Sequence, residues 1–146
     1  MKALLTAIQT QLRTDLTYVR DKDVFISKDE ALVPDAAKSP FVGLKDGAIS
    51  RTRRPGGALE IEMTVRVVIW VKLQKDQAGI IGDSSASKKG VLDIADDIYS
   101  ALNDNLLSIS GMQDAFCPDE TASEMMGDET EQLQRKIMDW QYLKQS

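Results

Sequence analysis

Three aspartates, Asp93, Asp96 and Asp97, stand at i, i+3 and i+4 in a stretch with helical periodicity. That spacing puts them on one helix face. Clustered carboxylates of this kind can hold two divalent cations for hydrolysis of a phosphate ester. Such a site also needs carboxylates or histidines from other elements, and the chain contains no histidine. With histidine go the commonest general base and the commonest metal ligand. The plainer reading is a solvated helix face, acidic near an N-terminus where the macrodipole favours negative charge. A second stretch, Gly82-Asp83-Ser84-Ser85-Ala86-Ser87-Lys88-Lys89-Gly90, has the glycines and lysines of a phosphate loop. A P-loop needs glycine directly before its lysine and Ser or Thr directly after, to cradle phosphates and hold magnesium. Here Ser87 precedes Lys88, and Lys89-Gly90 follows, so the motif fails. The stretch reads as a polar loop with a serine cap, whose Lys88 and Lys89 can meet an anionic partner surface. Cys117, the only cysteine, sits beside Pro118 and reads as packing. A single cysteine also excludes an intramolecular disulfide. The expectation is a protein without cofactor, metal or catalytic residues, and not an enzyme.

The remaining candidates are contact residues. Arg51, Arg53 and Arg54, with Lys45 near, form the densest basic cluster in a chain of formal net charge −5. They suit a hairpin edge protected by charge, or a docking surface in an oligomer. Asp128, Glu129 and Glu131 form an acidic run that can complement that cluster across a subunit boundary. Trp70 and Trp140 read equally as core residues or as interface anchors. The acidic balance argues against broad nucleic-acid binding, which usually needs a basic face.

The elements that must position these residues follow from periodicity. Leu59–Leu73 alternates apolar and polar side chains, with Ile61, Met63, Val65, Val67, Ile69, Val71 and Leu73 on one parity. Period two with β-branched residues predicts a strand with one buried face. At ~3.3 Å per residue it runs roughly 45–50 Å, longer than a common strand. Upstream, Leu4, Leu5, Ile8, Leu12 and Leu16 make the stripe of a helix over residues 2–18. Val24-Phe25-Ile26 and Phe41–Leu44 predict strands. Asp46-Gly47 predicts a hairpin turn into a returning strand Ile49–Arg53. Pro55-Gly56-Gly57 predicts a second turn into the long strand. Residues 74–90 form a connection, and a second helix runs from about Ser87 to Leu107, capped by Ser85 or Ser87. Ser108–Gly127 reads as irregular. Gln132–Lys144 suits a helix or a strand, and its aromatic and β-branched content favours a strand beside the long one. The 146 residues then make one domain, with mobile loops about 74–90 and 108–130. The fold class is α+β: an antiparallel, mixed-length sheet of about four to five strands, with two main helices packed on one face. No apolar run approaches the ~18–20 residues of a membrane span, and the N-terminus lacks the pattern of a signal peptide.

Three segments carry a family resemblance. They are Ser39-Pro40-Phe41-Val42-Gly43-Leu44-Lys45-Asp46-Gly47 after an N-terminal helix, the long strand through Val65–Val71, and the helix Gly90–Leu102 after a long loop. In this order of elements the chain is similar to the tail terminator, or tail-completion, family of long-tailed bacteriophages and prophages. The resemblance covers most of the chain and involves no catalytic motif. It implies an oligomeric ring, typically a hexamer, on the head-proximal end of the tail tube. The ring ends tube polymerisation and presents a surface to the head connector. Implied partners are further copies of itself, the tail tube protein and the head–tail connector protein. DNA passes the lumen without specific binding, and no membrane is involved. The implied location is the virion tail, assembled in the cytoplasm of a bacterial host. Other readings are another neck or head-completion protein, a monomeric adaptor, or a small metal-dependent hydrolase using Asp93, Asp96 and Asp97.

Overall fold

The computed structural model describes residues 1–29, 39–72, 78–83, 88–127 and 132–146. Helix α1 spans Lys2–Asp15 and buries Leu4, Leu5, Ile8 and Leu12. It stops three residues short of the expected end, because Leu16 leaves helical geometry at φ −89° and ψ 76°. The turn lets both Leu16 and Val19 reach the core. Arg13 and Gln9 then tie the helix to the first strand, each donating to the Val24 carbonyl at 3.0 Å.

Strand β1 is Val24–Ile26, β2 is Phe41–Arg53 and β3 is Leu59–Lys72. β1 pairs with β2 in parallel, so the sheet is mixed rather than wholly antiparallel. The expected turn at Asp46-Gly47 is absent, and β2 runs straight through it. Asp46 pairs with Val65 and Ile49 with Met63, which leaves one extra residue on β2, a β-bulge. Gly47 is required there by close approach: a Cβ on it would lie 2.8 Å from the Thr64 carbonyl oxygen. The real reversal is at Gly56 and Gly57, each at φ +87°, a conformation glycine adopts without steric cost. The expected three-stranded meander is therefore one long hairpin.

Past β3 come the short helix α2, Ala78–Ile81, and helix α3, Val91–Leu102. α3 is shorter at both ends than the periodicity predicts. Gly90 caps its start, with its N–H donating to Asp93 Oδ2 at 3.0 Å; Ser85 and Ser87 lie outside the described residues. Its end is set by extended backbone at Asn103 and by Asp104 at φ +56°.

The stretch expected to be irregular contains two strands, β4 (Met112–Glu120) and β5 (Glu124–Gly127). Both pair antiparallel with β6, Gln132–Gln145, which is the expected strand beside β3. Register shifts at Met112/Asp114 and Phe116/Asp119 throw the alternation of β4 out of phase. That hid it from a period-two reading. The result is a six-stranded sheet in the order β1-β2-β3-β6-β4, with β5 also on β6.

Two main helices cover one face. α1 lies over β1 and β2, and α3 over β3, β6 and β4. The core on that side joins Ile8, Leu12, Val65, Ile69, Ile94 and Trp140, among others. A smaller cluster on the other face comprises Phe41, Val68, Trp70 and Ile137.

Candidate subunit and partner interface

Arg51 and Arg53 lie on the outer edge of β2, beyond the three residues, Val42–Leu44, that β1 covers. Both are exposed, and neither has an ion-pair partner among the described residues. Arg54 differs. Its guanidinium bonds Glu60 through Nε at 3.1 Å and Nη2 at 2.6 Å, turning it onto its own hairpin. That hydrogen bond and the carboxylate charge raise the Arg54 pKa further.

The indole rings resolve to the core. Trp70 is 1% exposed and stacks between Phe25 and Phe41, at centroid distances of 6.1 and 5.3 Å. Its ring lies over Gly43, where a Cβ would meet Cζ3 at 2.9 Å. Trp140 is fully buried under α3, 5.9 Å from the Tyr99 ring. Neither is placed to anchor a partner.

The two lysines serve the loop before α3. Lys88 exchanges backbone hydrogen bonds with Asp83, both at 2.9 Å, and its side chain is exposed. Lys89 pairs with Asp97 at 3.5 Å and sits 5.2 Å from the Tyr18 ring centroid. Tyr18 donates to Asp97 at 2.6 Å. Burial first, then that hydrogen bond, push the Tyr18 hydroxyl far above its ordinary pKa. So Asp93 caps α3, Asp97 pins the turn after α1 to the loop before α3, and of the three only Asp96 points freely to solvent. Among the described residues no group of three or more His, Cys, Asp or Glu is arranged to hold a metal ion. Burial and the nearby Glu120 charge raise the Cys117 thiol to about 11. Asp128, Glu129 and Glu131 lie outside the described residues, so the expected pairing with the arginine cluster has no geometry to report.

Two features escaped the sequence reading. The first is a cavity of about 130 Å3 beneath the start of α1, which crosses the sheet from Ile49 and Arg51 on β2, past Ile61 and Lys144, to Met112 on β4. Only packing creates it. The second was legible: from Val91 to Gln134 the chain has eleven Asp and Glu and no Lys or Arg. The fold gathers the described residues of that segment at the β6–β4 side of the sheet through α3, β4 and β5.

No family model matches the chain, and no curated protein matches it. A solved structure does. It is a chain in the virion of a native gene transfer agent (GTA) particle, with a TM-score of 0.64 and 14% sequence identity. The likeness is one of fold. It extends over 98% of this chain and 95% of that one, so the two share a fold from end to end.

Proposed function

We propose that this chain is a structural protein of a phage-like particle that caps the head-proximal end of the tail tube. As a ring, hexameric by the family resemblance, it ends tube polymerisation and joins the tail to the head connector. Its partners are further copies of itself, the tube protein and the connector protein, and DNA passes the lumen without being held. The observation that carries this reading is the end-to-end likeness of fold to a chain of a GTA virion. Added support comes from where the three segments of the family resemblance fall. They form the start of β2, the middle of β3, and α3 with its Gly90 cap. These are the sheet centre and the helix packed on it, the parts that define a fold.

The test is deletion of the gene in a strain that makes the particles, followed by electron microscopy. The reading expects unjoined heads together with tubes of uncontrolled length. Leaking heads beside tails of normal length point to another neck protein. Intact particles in normal number overturn the reading.

A further inference from the structure

The sheet separates charge across its width. β4, with α3 reaching over it from β3 and β6, occupies one flank and comes from the stretch that lacks Lys and Arg, and the β2 edge with Arg51 and Arg53 forms the other. Both patches lie in the helix layer. Ile49 and Arg51 pair with Met63 and Ile61, whose side chains join the core on that side. Ile49 and Asp104 also lie in one row across the sheet. Ile49 pairs with Met63, Met63 with Tyr142 and Tyr142 with Ala115. The Ala115 carbonyl then accepts the Asp104 amide at 2.9 Å. Asp104 therefore ends a row that Ile49 begins, four steps and roughly 19 Å away at ~4.8 Å per step.

We propose that these flanks are the two halves of a head-to-tail seam between copies of this chain. Ile49, Arg51 and Arg53 on one copy receive Asp96, Tyr99 and Asp104 of the next. The proposal rests on the oligomeric reading above and names its surfaces. Charge sign decides the type of contact. A basic flank repels its own copy, so the two-fold arrangement is disfavoured and the heterologous one favoured. Each flank also exposes an apolar side chain beside its charges, Ile49 at 36% and Tyr99 at 44%. The shared row of Ile49 and Asp104 favours closure. Copies related without a rise close into a ring, whereas a rise gives a filament. Side chains carry the seam, because the β4 edge is closed at its middle: the Ala115 N–H bonds the Asp114 carboxylate at 2.9 Å and its carbonyl is taken by Asp104.

Charge exchange tests the seam. One variant carries Arg51→Glu and Arg53→Glu. The other carries Asp96→Lys and Asp104→Asn, since Asn tolerates the positive φ at 104. Molar mass is read by light scattering at low ionic strength, against a monomer of 16.2 kDa. The wild type is expected to form a multiple of that mass, and each variant alone to remain a monomer with an unchanged melting curve. An equimolar mixture is expected to reassemble, because at the named seam positions one variant is then acidic on both flanks and the other basic on both. A variant that assembles alone like the wild type, or a mixture that stays monomeric, overturns the seam. A wild type that stays monomeric at every concentration also overturns it. That result leaves the virion role to the deletion phenotype, which does not depend on the seam.

Discussion

Tyr142 and Trp140 place a hydroxyl and an indole N–H in the core with no hydrogen-bond partner among the described residues. A buried polar group left unpaired costs about 1–3 kcal/mol. Tyr142→Phe is therefore expected to be neutral or to stabilise by up to about 1 kcal/mol in urea unfolding; a loss of 2 kcal/mol or more would reveal a partner. Cys117 is governed by burial, which lifts its thiol from 9.0 to about 11. The folded chain thus holds this proton more tightly than the unfolded one. The stability linked to it is complete below pH 9.0 and is lost as pH rises toward about 11. Alkylation at pH 8 is expected to be roughly 100-fold slower in the folded than in the urea-unfolded chain, since thiolate is the reactive form. Equal rates would contradict the buried setting. Residue types foretold part of this. The lone cysteine and the absent histidine were plain in the chain, whereas the bonds of Asp93 and Asp97 needed Gly90 and Tyr18 brought beside them.

At the scale of elements, the long strand, the first helix and the closing strand were legible, because each keeps one period against a single buried face. β4 and the Asp46-Gly47 bulge were not. An extra residue switches the face that follows, and a dipeptide that favours a turn serves equally where two backbones crowd. Gly43→Ala tests that crowding on the other face. Its Cβ meets the Trp70 ring at 2.9 Å, so a loss of about 1–3 kcal/mol is expected in urea unfolding, and no loss would mean the aromatic stack yields freely. Asp93→Ala removes the cap of α3 and is expected to cost about 1 kcal/mol. Asp96→Ala, on the exposed side, is expected to change stability by less than about 0.5 kcal/mol. Equal effects at both sites would contradict the division of roles among the three aspartates.

The whole molecule turns a segregation of charge along the chain into a difference between two flanks of one sheet. Strand order does this: β6 returns between β3 and β4, so the residues before it in sequence lie outside it in space. Association through such flanks weakens with salt, since exposed charges more than ~8–10 Å apart are largely screened at physiological ionic strength. A shallow groove of about 600 Å3 between α1 and the loop after α3, bordered by Lys2, Thr6, Thr10, Asn105 and Leu107, adds open surface in the same helix layer. The sequence could announce none of this beyond the charges themselves, because height and flank are properties of register. The most direct test of the central claim is location. Purified particles are labelled with antibody to this chain and gold, and viewed by electron microscopy. Gold confined to the junction of head and tail is the predicted result; gold along the tube, at the distal tip, or absent from particles would contradict it.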